Sequence, residues 1–135
     1  LRVKDLDFQR NEITLRSAKG KKDRPTVLPI KIKKVLADHL KRVRQQHDED
    51  LKKGAGYVEL PYALGVKYKS AARQWGWQWV FPATRFYTDR VTGERRRHHL
   101  HETVLQRAVK TAVRTSGITK PAGCHTLRHS FATHL

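Results

Sequence analysis

The sequence predicts a mainly α fold with a small antiparallel β-sheet, in the α+β class. Two long stretches, residues 31–52 and 101–116, carry apolar side chains at the 3.6-residue spacing of an amphipathic helix. Near the start, Glu12–Ser17 instead alternates, with Ile13 and Leu15 on one side, which is typical of a strand. A chain of 135 residues is one domain or part of one.

Residues 1–30 are predicted to form a β-hairpin region with a basic tip. The strand Glu12–Ser17 and a second short apolar run, Thr26–Pro29, flank the turn Ala18–Pro25. Three lysines and one arginine lie in that turn. The hairpin therefore presents a concentrated positive charge at its tip.

The first predicted helix, residues 31–52, is followed by Gly54 and Gly56, which are helix stop signals. The next segment is less regular. Ala63–Gln74 fits one or two short helices, and Trp75–Pro82 is an aromatic block with strand-like alternation.

Residues 83–99 are rich in arginine and histidine, and they are predicted to form a polar loop. The second long helix, residues 101–116, ends at Gly117, and Pro121–Gly123 is a linker. A final helix is predicted to begin near Thr126, with that residue as its N-cap.

The charge balance indicates a polyanionic partner. Lys+Arg 29 against Asp+Glu 12 gives a formal net charge of +17, an excess most typical of nucleic-acid binding. A ribosomal-type structural binder or a heparin-like surface is the alternative. The chain has no run of 18 apolar residues and no signal-peptide pattern, which argues against a membrane protein. The single cysteine, Cys124, suits a reducing cytoplasm.

Two polar residues at the start of the last predicted helix suit phosphate chemistry. His125 and Arg128 are three residues apart, which places both on one helix face. A guanidinium offers a planar fork to phosphate oxygens, and an imidazole transfers protons near neutral pH. A helix N-terminus adds backbone donors. On spacing alone, a solvated helix start carrying two polar residues is the simpler interpretation.

Three segments resemble the tyrosine recombinases, the phage integrase family. His125-x-x-Arg128-His129, followed by Ala-Thr-His-Leu, resembles the second catalytic motif of that family. The basic tip, with Lys19 in Lys-Gly-Lys-Lys-Asp-Arg, resembles its β-turn. The opening Leu-Arg-Val-Lys-Asp-Leu-Asp-Phe resembles the segment just after the family's first catalytic arginine. The resemblance covers nearly the whole chain and implies that residues 1–135 are a partial catalytic domain.

The resemblance implies a role for each matching residue. The family's tyrosine attacks a DNA phosphodiester and forms a 3′-phosphotyrosyl bond, which conserves the bond energy for religation. By resemblance, Lys19 is the general acid for the 5′-oxygen leaving group, and His125 assists proton transfer. Arg128 clamps the scissile phosphate, and His129 supports the site. No cofactor is implied.

Other cations of the basic tip are expected to contact the DNA backbone. Lys21, Lys22 and Arg24 lie close to Lys19 along the chain. Which of the lysines is the general acid is open on the sequence, and Lys19 is preferred.

The resemblance also implies a catalytic domain truncated at both ends. The family's first arginine belongs just before Leu1, and its third motif and nucleophile belong beyond Leu135. Residues 125–135 would then be the start of the active-site helix. All the tyrosines present precede the second motif: Tyr57, Tyr62, Tyr68 and Tyr87. We therefore expect the chain to bind DNA without cleaving it.

Residues 57–99 resemble the insertion that marks the integron integrases within the family. The resemblance rests on Leu60–Pro82 and on Arg95–His99. It implies integration and excision of gene cassettes at folded single-stranded sites, whose hairpins carry extrahelical bases. A base that has left the stack needs an aromatic face or a snug pocket in the protein.

Trp77 is predicted to stack on such a base, and His98 and His99 are predicted to flank it. Tryptophans at alternate positions between 75 and 79 also suit a core, so at least one of them is expected to belong to it. A metal cluster of His98, His99 and His101 is disfavoured, because adjacent histidines do not easily share an ion and no further ligand stands at the right spacing. No metal is expected.

DNA is the partner that this interpretation implies, both as folded single-stranded cassette sites and as duplex sites. It further implies a homotetramer on DNA as the full-length protein, no membrane association, and a bacterial, cytoplasmic and nucleoid-associated location. Two alternatives stay open: a phage- or transposon-type tyrosine recombinase acting on duplex sites, and a non-enzymatic nucleic-acid-binding module.

Overall fold

A computed structural model describes residues 1–17, 22–61 and 63–134. The chain divides into two units, Leu1–His99 and Leu100–Leu135. Helices and two small antiparallel sheets make up the first unit, and two helices make up the second. The predicted combination of helices with small antiparallel sheet is confirmed, although the strands within the described residues form two sheets instead of one.

The first unit contains the strands and helices β1 (Leu6–Asp7), β2 (Glu12–Leu15), β3 (Arg24–Val27), α1 (Ile30–Lys52), α2 (Leu64–Lys67), β4 (Pro82–Thr88) and β5 (Arg95–His99). Short 3-10 turns lie at Val3–Asp5, Lys69–Arg73 and Trp75–Trp77. The second unit contains α3 (Glu102–Thr115) and α4 (Cys124–Thr133).

The first sheet has the strand order β1-β2-β3 and is antiparallel throughout, so the predicted β2–β3 hairpin is confirmed. A charged cluster holds the base of its turn. Asp23 accepts a hydrogen bond from Arg16 Nη1 at 2.7 Å and another from the Ser17 amide at 3.0 Å. Arg16 Nε also donates to the buried Asp5 at 3.0 Å. These hydrogen bonds join the residues just before the turn, Arg16 and Ser17, to Asp23 on its other side.

Helix α1 begins one residue before the predicted bound and ends where predicted. Gly54 follows with φ +71°, a left-handed conformation that glycine adopts without strain. Val43, His47 and Asp50 are buried at successive spacings of four and three, so they share one face of the helix. Two of these three buried residues are polar, and each has a partner elsewhere in the first unit.

The core beneath this face is small. Val58, Leu60, Ala71 and Ala72 form a buried cluster against which half-buried aromatic side chains pack. Residues 57–80 therefore supply much of the interior of the first unit and are not a surface loop.

The predicted polar loop at residues 83–99 is wrong, because this segment forms the β4–β5 hairpin. Its turn is closed by the Asp89 carboxylate, which accepts from the Val91 and Thr92 amides at 3.0 and 2.8 Å. These hydrogen bonds lower the pKa of Asp89, the Thr92 amide contributing most. Arg97 is buried in the hairpin because Asp50 neutralises its guanidinium. The sequence pattern counts such an arginine as polar surface.

The strand-like alternation of the aromatic block Trp75–Pro82 does not correspond to a strand. Its first residues form the 3-10 turn Trp75–Trp77, and extended backbone follows. Alternate tryptophans here do not reflect a pleated strand, because β pairing within the block is confined to an isolated bridge between Trp79 and Arg2 and the first residue of β4.

The final helix begins at Cys124, two residues before the predicted start. Thr126 is the third residue of the helix, and its hydroxyl oxygen accepts a hydrogen bond from the Gly123 amide at 3.2 Å. A threonine in the first turn of a helix can accept a hydrogen bond from the amide of the N-cap residue. Threonine therefore indicates a helix start both when it is the N-cap and when it lies in the first turn.

His47 gives the first unit a stability that depends on pH. Its side chain is 5% exposed, and Nε2 donates to the Arg73 carbonyl at 2.9 Å. Burial lowers the pKa of His47, while its hydrogen bond to Arg73 partly opposes the shift. The folded-state pKa thus lies below the unfolded value of about 6.5. The unfolded chain therefore takes up a proton first, and stability is lost as the pH falls below that value.

We expect the urea concentration at the unfolding midpoint of the first unit to decrease when the pH is lowered from about 7 to about 5. Most carboxylates titrate only below this range. His47→Gln, which cannot titrate, should be less stable than the wild type at pH 7 but should show a flatter pH profile. Tryptophan fluorescence reports this transition, because the three tryptophans lie in the first unit. An unchanged slope in His47→Gln would assign the pH dependence to another group.

Candidate nucleic-acid interface

Helix α4 carries three of the sequence-predicted site residues on one side. His125, Arg128 and His129 stand at i, i+3 and i+4, and all three are exposed. The imidazoles of His125 and His129 meet edge to face, with ring centroids 4.8 Å apart and an interplanar angle of 84°. This contact limits the orientations open to His125.

His125 lies at the end of α4 that favours anions, and Arg128 follows less than one turn later on the same side. His125 is the second residue of the helix, where amide groups lack intrahelical acceptors and the helix dipole is positive. A phosphate placed here would meet backbone donors, an imidazole and a guanidinium. The arrangement can hold an anion and move a proton, which are the two tasks of a phosphoryl-transfer site.

The basic tip offers a second group of cations. Lys19 and Lys21 lie outside the described residues. Lys22 and Arg24 are both exposed, and Arg24 begins β3. Below them, the Ser17 amide and then Arg16 lower the pKa of Asp23, so its carboxylate stays charged. The tip belongs to the first unit and α4 to the second.

The β4–β5 hairpin places the two predicted histidines in different surroundings. His98 stacks on Tyr87, with ring centroids 4.1 Å apart and only 10° between the planes. His99 meets the edge of Trp79 at 5.1 Å and 76°. Successive residues of a strand point to opposite faces, so the two imidazoles serve different sides of the hairpin.

Trp77 is half-buried and packs against the core cluster. The Lys4 ammonium lies 3.2 Å from its ring centroid, and the Arg2 guanidinium lies 5.5 Å from it. Burial lowers the pKa of Lys4. A base that stacked on Trp77 would have to replace the Lys4 ammonium or use what remains of the ring surface.

The neighbouring tryptophans are engaged in a similar way. Trp79 also packs against the core, and Arg2 lies over its ring at 3.9 Å. Trp75 meets the imidazole of His47 and the guanidinium of Arg44. All three tryptophans are half-buried, so the expectation of a core role is met by packing against the core rather than by complete burial.

Sequence reasoning missed three residues that shape this surface. Arg2 donates to the Trp77 and Glu59 carbonyls, each at 2.7 Å, and so fastens the start of the chain to the aromatic block. Arg97 anchors the hairpin to α1, and Tyr87 supports His98. The aromatic and β-branched content of residues 84–88 was an available strand signal for Tyr87. No local signal identifies Arg2 or Arg97, because their partners are distant in sequence.

In the part of the chain that the structure describes, no three His, Cys, Asp or Glu side chains stand close enough together to hold a metal ion. His101 instead caps α3, and its Nδ1 accepts from the Thr103 amide at 3.3 Å. None of the described helices combines the length and apolar composition that a membrane crossing requires.

Comparison with known proteins adds a family match. The model of the phage integrase family matches residues 1–135. An integrase/recombinase of Escherichia coli and one of Pseudomonas aeruginosa are each 48% identical over 135 residues, which is all of this chain and 40% of either relative. A putative integrase/recombinase of Sinorhizobium fredii is 25% identical over 135 residues, or 30% of its own length. The chain thus spans well under half the length of these curated relatives.

Proposed function

Because the chain belongs to the phage integrase family of tyrosine recombinases, we propose that it is part of the catalytic domain of a site-specific DNA recombinase. The observation that carries the proposal is the first half of α4, where His125 lies at the helix N-terminus and Arg128 lies on the same side at the start of the second turn. A net charge of +17 supplies the attraction to DNA. The names of the relatives support recombination and integration.

The proposed chemistry gives each site residue its own task. Arg128 clamps the non-bridging oxygens of the scissile phosphate, His125 assists proton transfer, and His129 orients His125. Lys19 protonates the 5′-oxygen as it leaves, while the family's tyrosine takes the 3′-phosphate.

The proposed subtype is an integron integrase that integrates and excises gene cassettes. Its support is the insertion at residues 57–99, which brings a core cluster, an aromatic block and a hairpin bearing two histidines. The proposed task of this insertion is to recognise an extrahelical base of a folded single strand, with His98 and His99 beside it and Trp77 as a stacking candidate. The proposal includes a homotetramer on DNA in the full-length protein and a nucleoid location in bacteria.

The proposed subtype predicts a preference for folded single strands. The chain should bind a hairpin with two unpaired bases in its stem more tightly than the fully paired duplex. A base stacked on an aromatic side chain contributes about 1–3 kcal/mol, so we expect a ratio of roughly 5- to 150-fold. Fluorescence anisotropy at one fixed salt concentration measures it, because phosphate contacts make both affinities salt-sensitive.

The same hairpin without its unpaired bases is the control, and it should bind like the duplex. Equal affinity for all three DNAs would favour the phage- or transposon-type recombinase that acts on duplex sites. A denaturing gel of the same mixtures tests whether the chain cleaves. We propose that it binds without forming a covalent adduct, because its tyrosines precede the His125 motif. An adduct would contradict that part of the proposal.

The alternative to an enzyme is a module that binds nucleic acid without catalysing a reaction. The high positive charge alone fits it equally well. The residues of α4 distinguish the two, since a binding module does not need Arg128 for a step after binding.

A further inference from the structure

Tyr87 and His98 form a stacked pair on the β4–β5 hairpin. Tyr87 lies opposite Arg96 in the register, and His98 is two residues beyond Arg96 on the same strand. Because residues two apart in a strand share a face, Tyr87, Arg96 and His98 lie on the same side of the hairpin. The rings of Tyr87 and His98 are nearly parallel, with centroids 4.1 Å apart.

The two stacked residues differ in exposure. Tyr87 is half-buried, whereas His98 is exposed. Because Tyr87 stacks on one face of the imidazole, any further ring has to stack on the other face.

The Tyr87 ring lies beside a network of charged groups. Arg96 donates to Glu94 at 2.8 and 2.9 Å and to Asp89 at 3.0 Å, and Asp89 in turn closes the hairpin turn. Tyr87 lies directly opposite Arg96 in the register of the hairpin and so beside this network. Burial opposes the charge on the guanidinium, but the interactions with Glu94 and Tyr87 raise the pKa of Arg96 overall. Tyr87 is thus positioned before any ligand arrives, which reduces the entropic cost of stacking.

We propose that Tyr87 is a positioning residue that presents His98 to an unpaired nucleobase, so that base, imidazole and phenol form a continuous stack of three rings. This inference rests on the proposed function, which supplies the unpaired base. A nucleobase is the occupant that the surroundings favour, because it brings a flat ring together with a phosphate. Arg85 and Arg90 are exposed cations on the same hairpin that suit this phosphate.

The test uses the 135-residue chain and a DNA hairpin with 2-aminopurine at an unpaired position. Stacking quenches the fluorescence of this base, so binding and stacking are read separately. Tyr87→Leu should bind the bulged hairpin about 2- to 10-fold more weakly, as expected for loss of an aromatic pair, and should restore part of the fluorescence. Its affinity for the hairpin without unpaired bases should not change.

Four further variants test whether the Tyr87 ring is responsible. Tyr87→Phe keeps the stack and should behave like the wild type. Phe86→Leu makes a similar change at the adjacent residue on the opposite face, under Arg95, and should leave the preference intact. His98→Leu should lose the preference, and adding Tyr87→Leu to it should cost nothing more, since Tyr87 acts through His98.

The outcomes separate the two proposals. If His98→Leu loses the preference for the bulge and Tyr87→Leu keeps it, the positioning role is wrong and the proposed function stands. If Tyr87→Phe loses as much as Tyr87→Leu, the hydroxyl and not the ring is responsible, and the three-ring stack is wrong. If the wild type shows no preference for the bulge, the proposed integron-integrase subtype fails, and the stacking role fails with it. Urea midpoints of all variants show that each one folds.

Discussion

Replacing Arg97 with methionine is expected to lower the free energy of unfolding of the first unit by about 3–5 kcal/mol, the usual cost of breaking a buried ion pair. Arg97 and Asp50 are 9% and 7% exposed. Two hydrogen bonds of 2.9 Å join the guanidinium to the carboxylate. The guanidinium also donates to the Ala83 and Thr84 carbonyls at 2.8 and 2.7 Å. The substitution leaves a buried carboxylate and two carbonyls without this donor.

Urea unfolding followed by tryptophan fluorescence measures this loss in the first unit alone. Asp38→Asn is the matched control, because Asp38 lies on the same helix and pairs with Lys41 at the surface. An exposed pair contributes little, so this control should change stability by less than about 1 kcal/mol. The double variant Arg97→Met with Asp50→Leu should recover most of the loss, since no buried charge remains. A cost below about 1 kcal/mol for Arg97→Met would show that solvent reaches the pair.

This ion pair explains why the hairpin was missing from the sequence-based prediction. An arginine-rich segment predicts a loop when each arginine is taken as solvated. Arg97 is instead neutralised by Asp50, a residue 47 positions away, and no local pattern indicates such a partner. The turn was more accessible to prediction, because Asp89 and Gly93 are residues that turns use for hydrogen bonding and for positive φ.

Elements whose stability is local were predicted well. The bounds of α1 and α3 follow from apolar spacing and from glycines that adopt positive φ just beyond the helix ends, Gly54 and Gly117. The β2–β3 hairpin followed from alternation and a polar turn. The aromatic block failed for the opposite reason, because its backbone is held by Arg2, which binds the Trp77 carbonyl across 75 positions of sequence.

The candidate site divides in the same way. His125, Arg128 and His129 share a side of α4 because helical spacing alone places them there. Tyr87 was not among the candidate residues, because its relation to His98 depends on the register of two strands. Lys19, which lies outside the described residues, stays a prediction from resemblance.

The second large effect concerns Arg128. In a longer protein that joins this segment to the rest of a recombinase catalytic domain, Arg128→Ala is expected to lower the rate of DNA cleavage by about 100- to 1000-fold, the loss typical of removing one preorganised donor to a developing oxyanion. A guanidinium grips two phosphate oxygens at once, and the charge on them grows as the phosphodiester is attacked. Arg128→Lys keeps the charge but loses the paired hydrogen bonds of the guanidinium. Its cleavage rate should therefore lie between that of the wild type and that of Arg128→Ala.

DNA binding should respond differently to the same change. Arg128 supplies one charge of a net +17, so Arg128→Ala should reduce the salt dependence of binding by about one phosphate contact and leave affinity within a few-fold. Arg114→Ala is the matched control, because it removes an exposed arginine from the last turn of α3. It should change binding by a similar amount and leave cleavage unaffected.

Single-turnover accumulation of the covalent DNA–protein adduct measures the chemical step directly. A rate constant that falls at saturating protein shows that Arg128 acts in the transition state, whereas a loss that disappears at saturation shows that it only binds DNA. Wild-type cleavage by Arg128→Ala would remove Arg128 from the site and leave α4 as a DNA-contacting helix. Because binding and cleavage are measured on the same variants, the result also separates the recombinase from the non-enzymatic module: only the recombinase loses more in cleavage than in affinity.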